Sequence, residues 1–96
     1  MSILHLVRSS AFETKDFEQC VKTLLKEDAL LLIDDGCYNI NHSLMNDVRQ
    51  ILSHDSIIII KEHAIARSVD INEVKDINME RVIAMSFSFD SVVTWQ

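Results

Sequence analysis

Apolar residues along the chain form two kinds of pattern, short unbroken runs and helically spaced stripes. Residues 29–33 and Ile57–Ile60 carry aliphatic side chains only. Strands without polar alternation are covered on both faces, as in parallel sheets flanked by helices. From Asp16 onward, apolar residues recur at the i, i+3, i+4 spacing of an amphipathic helix, which places Cys20 on its apolar side or at the border.

These patterns predict strands that alternate with helices. We expect strands at residues 3–7, 29–33, 57–60, 73–77 and 92–95. We expect helices at residues 16–25, 44–52, 62–68 and 78–86, the second of them capped by Asn41 or Ser43. This alternation predicts one α/β domain over residues 1–96, with helices packed on a mostly parallel central sheet in two or three layers.

The second predicted strand ends at a turn formed by Asp34, Asp35, Gly36 and Cys37. Gly36 is the only glycine, and we expect it to adopt a positive φ that turns the chain sharply into a helix. Because this edge of an open α/β sheet carries ligands, Asp35 is either an acid, a metal ligand or a cap of the next N–H groups, and we favour the cap. A following helix N-terminus favours the thiolate of Cys37 but the two carboxylates oppose it, so packing is its predicted role.

Charge and composition exclude several classes of function. The net charge is −6 and the nine Lys and Arg residues are scattered, which argues against direct binding of nucleic acid. The aliphatic runs are too short to span a bilayer and the start does not resemble a signal peptide, so we expect a cytoplasmic protein with free thiols. A single glycine cannot build a phosphate-cradling loop. We expect no metal or cofactor, because no metal-binding spacing connects the histidines His5, His42, His54 and His63.

Four separated segments of the chain follow the pattern of one known family. The first contains Met1, Ser2, Ile3, Leu4, His5, Val7, Ser10 and Phe12, and the second contains Leu31, Leu32, Asp35 and Gly36. The third contains Ala66, Arg67 and Ser68, with serine where the pattern has glycine, and the last contains Val93, Thr94 and Trp95. In this order and at these spacings, the segments resemble the TusB/DsrH family of small sulfur-relay subunits.

The resemblance implies a DsrE/F/H-like three-layer sandwich and a place in a heterohexamer with TusC-like and TusD-like subunits, which correspond to DsrF-like and DsrE-like ones. In the Tus branch, such complexes pass persulfide sulfur between sulfur-carrier proteins, and the relay ends in 2-thiolation of the wobble uridine of certain tRNAs. In the Dsr branch, similar complexes serve sulfur oxidation. Because the sulfur-accepting cysteine belongs to the TusD-type subunit, the resemblance implies an accessory, non-catalytic role for this chain.

Cys20 and Trp95 each have two possible interpretations. Cys20 is the main candidate for catalytic chemistry, because DsrH-type members resemble this chain in having a cysteine on the first helix. As a sulfur carrier it would act directly in sulfur oxidation, whereas a buried free cysteine packs as a small hydrophobic residue. Trp95 either fills the edge of the core or anchors an interface. A third hypothesis is a stand-alone ligand-binding domain that shares only the fold.

Overall fold

Across residues 1–71 and 74–96, which the computed structural model describes, five strands form one sheet in the order β4-β3-β2-β1-β5. Every neighbouring pair in the sheet is parallel. The strands are β1 (Ile3–Val7), β2 (Ala29–Leu32), β3 (Ile57–Ile60), β4 (Lys75–Ile77) and β5 (Ser91–Trp95). The parallel sheet confirms the predicted α/β class, and the aliphatic runs of β2 and β3 are buried throughout, as their composition predicts.

Short helices make the connections between the strands. The α-helices are α1 (Asp16–Thr23), α2 (Met45–Ile51), α3 (Lys61–Ala66) and α4 (Val82–Ser86). Three 3₁₀ helices accompany them in the described part of the chain, at Asp34–Asn41, His54–Ser56 and Met79–Arg81. The fourth strand is shorter than predicted, and Glu73, its predicted first residue, lies outside the described residues.

The two faces of the sheet are covered to different depths. On the first face, Val7 and Leu32 belong to a large cluster with side chains of α1, α2 and the 3₁₀ helix Asp34–Asn41. On the second face, Leu4 belongs to a smaller cluster with Val82 of α4. Helices therefore lie on both sides of the sheet, in three layers. Because α4 has only five residues, it leaves part of the second face open, and Val92 of β5 stays 44% exposed there.

The segment after β2 differs from the sequence prediction. It forms an eight-residue 3₁₀ helix, Asp34–Asn41, instead of a turn that leads to an α-helix capped by Asn41 or Ser43. The predicted cap is wrong, because α2 begins after Leu44 without a side-chain cap at that residue. The imidazole of His42 serves this turn instead, since its Nδ1 accepts a hydrogen bond from the backbone N–H of Leu44 at 3.1 Å.

Position 36 requires glycine because the chain passes very close to β1 there, and not because of the φ of this residue. The predicted positive φ at Gly36 is wrong, and the residue with a positive φ in this segment is Asp34, at 53°. A Cβ atom on Gly36 would lie 1.9 Å from the carbonyl oxygen of Val7, the last residue of β1. The 3₁₀ helix therefore passes so close to the end of β1 that only hydrogen fits between them.

A second positive φ, 54°, occurs at Ser68, just beyond α3. This is the position at which the TusB/DsrH pattern has glycine. The left-handed conformation explains that preference, because side chains with a Cβ crowd the following carbonyl there. The serine in this chain therefore holds a strained backbone that a glycine would adopt freely.

Candidate functional site

Cys20 lies inside the protein. It is fully buried on α1, in the cluster that contains Phe17 and Leu24. Burial, with a smaller contribution from the negative charge of Asp28, raises the pKa of the Cys20 thiol to about 12. The inward orientation confirms the helical spacing, and in this conformation the side chain is a protonated thiol without access to solvent.

Cys37 is also fully buried, in the 3₁₀ helix after β2. Its Sγ donates to the carbonyl oxygen of Leu32 at 3.6 Å. Burial raises the pKa of this thiol to about 11, since the positive charge of Arg67 only partly opposes burial and the carboxylates of Asp34 and Asp35 add to it. The buried position agrees with the packing role predicted for Cys37. Both cysteines are free, so neither forms a disulfide.

A buried polar chain runs beneath α1 and joins three parts of the fold. Trp95 on β5 donates its indole N–H to Nδ1 of His5 on β1 at 3.1 Å. The other ring nitrogen of His5 lies 3.0 Å from Oδ2 of Asp28, just before β2. The side chains of His5 and Asp28 are 2% and 0% exposed. Sequence reasoning missed this pair, because the two residues stand 23 positions apart.

The partners of His5 define its tautomer. An indole N–H can only donate, so Nδ1 of His5 is the acceptor and Nε2–H donates to Asp28. Asp28 also accepts from the backbone N–H groups of Ile3 and Leu25. Burial alone would raise the pKa of the Asp28 carboxyl, but these hydrogen bonds outweigh it and hold that pKa below its ordinary value. The arrangement contains a neutral imidazole against an ionised carboxylate.

Trp95 therefore fills the edge of the core on the β5 side, while part of its ring stays exposed. Its ring stacks on that of His5, with 6.2 Å between centroids and 23° between planes. This contact supports the first of the two interpretations of Trp95, and the interface role stays a prediction.

An open cleft of about 430 Å³ lies at the carboxyl edge of the sheet. All five described strands contribute to its lining, either with their own side chains or with the segments that follow them. Its lining comprises Leu6, Arg8, Ile33, Asp34, His63, Met79 and Thr94. In open α/β sheets this edge is where ligands bind, so the cleft is the candidate binding site of the fold.

Three polar residues of the cleft contact one another. Arg8 Nε donates to Oδ2 of Asp34 at 2.7 Å. The backbone N–H of Asp34 donates to Nδ1 of His63 at 2.9 Å. Asp35 lies next to this group and accepts from Arg67 Nε at 2.9 Å, so its side chain pairs with a cation instead of capping the 3₁₀ helix. Sequence reasoning named His63 only among histidines without metal-binding spacing and did not single out Arg8, although each follows closely after a strand.

Other kinds of site have little support in the described residues. Among residues 1–71 and 74–96, no group of three His, Cys, Asp or Glu side chains is placed to hold a metal ion. Within the same residues, no helix has the length and apolar character needed to cross a membrane.

Comparison with known protein families identifies the family of this chain. The family described as DsrH like protein matches residues 9–92, which include Cys20, Gly36 and most of the cleft. A search among curated proteins finds no significant match. Since the family match covers far more than half of the 96 residues and agrees with the resemblance in the sequence, this chain belongs to the DsrH-like family of sulfur-relay subunits.

Proposed function

We propose that this chain is an accessory subunit of a sulfur-relay complex with TusC-like and TusD-like partners, and that the complex supports 2-thiolation of the tRNA wobble uridine. Membership of the DsrH-like family supports the place in a sulfur relay and the kind of partner. The resemblance to the TusB/DsrH family is common to both branches, so the choice of tRNA thiolation over sulfur oxidation is part of the proposal itself.

The burial of both thiols is the main observation in support of an accessory role. A cysteine that accepts persulfide sulfur must meet its donor as an accessible thiolate. Cys20 and Cys37 are both fully buried, and burial raises their pKa values to about 12 and about 11. This supports a division of labour in which a partner supplies the reactive thiol and this chain shapes the assembly.

Exposed apolar side chains support burial against a partner. Ile83 of α4 is 71% exposed and Phe87, one residue beyond α4, is 84% exposed. Large apolar side chains that lie together on a surface are typical of protein interfaces. They lie on the outer surface of α4, so we assign this surface to contact with a TusC-like or TusD-like subunit.

Complementation tests the proposal. In cells lacking the gene, we expect the chain to restore 2-thiouridine in tRNA, measured by mass spectrometry of nucleosides, and to co-purify with TusC-like and TusD-like subunits. Cys20→Ala should restore thiolation as well as the original chain, whereas Phe87→Asp should impair both thiolation and co-purification. Tyr38→Asp changes a partly exposed aromatic residue on the other face and is the matched control.

A carrier role for Cys20 is the rival function. After incubation with a persulfide donor, a mass gain of one sulfur atom that disappears in Cys20→Ala would establish the carrier role and contradict the accessory one. Unchanged tRNA thiolation in the absence of the gene, a chain that purifies alone and no sulfur adduct on Cys20 would together remove both functions and leave a stand-alone domain of the same fold.

A further inference from the structure

We propose that the cleft at the carboxyl edge of the sheet binds a small organic anion. Arg8 and His63 hold its carboxylate or phosphate group, and apolar side chains that include Leu6 and Ile33 contact the rest of the molecule. The inference concerns a site that contains neither cysteine, so it stands whether or not the chain takes part in a sulfur relay.

The position of the cleft follows from the topology. The segments after β1, β2 and β3 supply Arg8, Asp34 and His63, and they meet because all these strands point the same way. The short α4 leaves the adjoining part of the second face uncovered. Ligands of open α/β sheets bind outside the carboxyl ends of the strands, and 430 Å³ lies in the lower part of the usual range for small-molecule sites.

Arg8 supplies the positive charge of the cleft. Its Nε donates a hydrogen bond to Asp34. One of its terminal nitrogens also makes a long hydrogen bond, of 3.4 Å, to the side-chain oxygen of Gln96. A guanidinium has five N–H donors, so most of the outer fork remains available. The ion pair with Asp34 fixes the orientation of that fork, which suits the two oxygens of a carboxylate or phosphate.

His63 supplies a second donor. Its Nδ1 accepts the backbone N–H of Asp34, so a neutral ring carries its proton on Nε2. Within residues 1–71 and 74–96, no hydrogen-bond partner contacts this Nε2, and the side chain is 24% exposed. The cleft is thus lined by a guanidinium and by an imidazole N–H donor, and this combination favours an anionic ligand.

Asp34 sets the strength of binding. Its positive φ of 53° is strained, although aspartate tolerates this region better than most residues. Its carboxylate already contacts Arg8 at 2.7 Å and therefore competes with an incoming anion. The site then binds weakly and exchangeably, and removal of this one charge should strengthen binding.

The apolar part of the lining favours an organic ligand over an inorganic one. Leu6, Ile33 and Met79 lie in the same cleft as the polar group and offer contact to a short hydrocarbon chain. An inorganic anion would leave these surfaces without a partner, whereas an acid with a few methylene groups would cover them. Each methylene group that is removed from water strengthens binding.

Titrations of the full chain, monitored by backbone amide NMR, test the inference with acetate, butyrate and inorganic phosphate as probes. We expect saturable shifts centred on Asp34, His63 and Thr94, with butyrate bound more tightly than acetate. Propyl phosphate, which carries the same three-carbon chain as butyrate, then identifies the anionic group by which of the two binds more tightly, and inorganic phosphate bound as tightly as propyl phosphate would contradict an organic ligand. Shifts that grow linearly with concentration, or equal affinities for acetate and butyrate, would overturn the proposal.

Three variants separate the site from general charge effects. Arg8→Gln should weaken butyrate binding about tenfold, because a charge-assisted hydrogen bond is lost. Arg49→Gln removes an exposed arginine of α2 outside the cleft and should leave binding unchanged. Asp34→Asn should bind butyrate more tightly than the original chain, since asparagine tolerates the same φ and the competing charge is gone. Equal effects of Arg8→Gln and Arg49→Gln, or no gain in Asp34→Asn, would contradict the assignment.

Discussion

The indole N–H of Trp95 donates to Nδ1 of His5 at 3.1 Å, and this bond ties the last strand of the sheet to the first. Since the other nitrogen of His5 bonds to the buried carboxylate of Asp28, the position of Trp95 is coupled to a charge in the core. Mutations at either end should therefore act on the same imidazole.

Replacement of Trp95 by phenylalanine should lower the free energy of unfolding by about 1 to 3 kcal/mol, because His5 loses its donor and some packing is lost. In nitrogen NMR of the histidine rings, the Nδ1 resonance of His5 should also shift, because Nδ1 loses its donor while Asp28 still holds the proton on Nε2. Tyr38→Phe removes a hydroxyl group from a partly exposed aromatic residue and should stay within about 0.5 kcal/mol of the original chain. An unchanged Nδ1 resonance in Trp95→Phe would show that the indole does not donate to His5.

Asp28 should make stability depend on acidic pH. Its carboxylate accepts three hydrogen bonds, from His5, Ile3 and Leu25, which together hold its pKa below the ordinary value. The stabilisation is complete above about pH 4, the pKa of aspartate in an unfolded chain, and is lost as the pH falls through the lower folded value.

Asp28→Asn should cost about 2 to 4 kcal/mol at pH 7, because an amide N–H₂ must face at least one of these donors. In urea titrations, the difference from the original chain should shrink below about pH 4. Asp47→Asn changes an exposed carboxylate of α2 and should show no such trend. A difference that is constant down to the acid transition would refute the coupling.

Gly36→Ala should destabilise the fold by about 3 kcal/mol or more, because its Cβ would meet the carbonyl oxygen of Val7 at 1.9 Å. Neither backbone can move away easily, since Val7 also accepts the N–H of Ile33 at 3.1 Å. Thermal unfolding measures the effect. Asn41→Ala, at an exposed position of the same 3₁₀ helix, should be nearly neutral, and a neutral Gly36→Ala would disprove the close approach.

Ser68→Gly should raise the free energy of unfolding by up to about 1 kcal/mol, because relief of the strain at φ 54° exceeds the extra entropy of an unfolded glycine. Ser53→Gly is the matched control, since Ser53 has an ordinary φ of −70° and should lose stability. Denaturant unfolding compares the two, and a loss of stability in both variants would mean that Ser68 is not strained.

Both cysteines should react slowly with an aromatic disulfide reagent at pH 8, at least about a hundredfold slower than in the unfolded chain, because burial blocks access and raises both pKa values from 9.0. Ser43→Cys places a thiol at an exposed position and should react at an ordinary rate. Fast reaction of Cys20 in the folded chain would favour the carrier role over the accessory one.

The aliphatic runs were enough to predict β2 and β3. A strand that contains only isoleucine, such as Ile57–Ile60, has no polar face and is therefore covered on both sides. The close approach of Gly36 to Val7 could not be predicted in this way. It depends on where the chain returns after 29 positions, and a lone glycine in sequence is compatible with either a positive φ or a tight contact.

The candidate site was only partly predictable for a similar reason. The turn at Asp34 and Asp35 marked the correct edge of the sheet, whereas nothing in the sequence around Arg8 or His63 assigns either residue to a site. Arg8 and His63 come to lie in one cleft only because the parallel strands that precede them end at the same edge of the sheet. The burial of Cys20 was visible in the helical spacing, because α1 is amphipathic.

The pairing of β1 with β5 has a consequence for synthesis of the protein. His5 and Trp95 are 90 positions apart, so β1 receives its second neighbour only after β5 has been made. During translation, one edge of the first strand stays unpaired, with Leu4 and Leu6 beside it. Contacts of such long range slow folding and favour association of nascent chains. Pairing of β5 is therefore the step at which β1 loses its exposed edge.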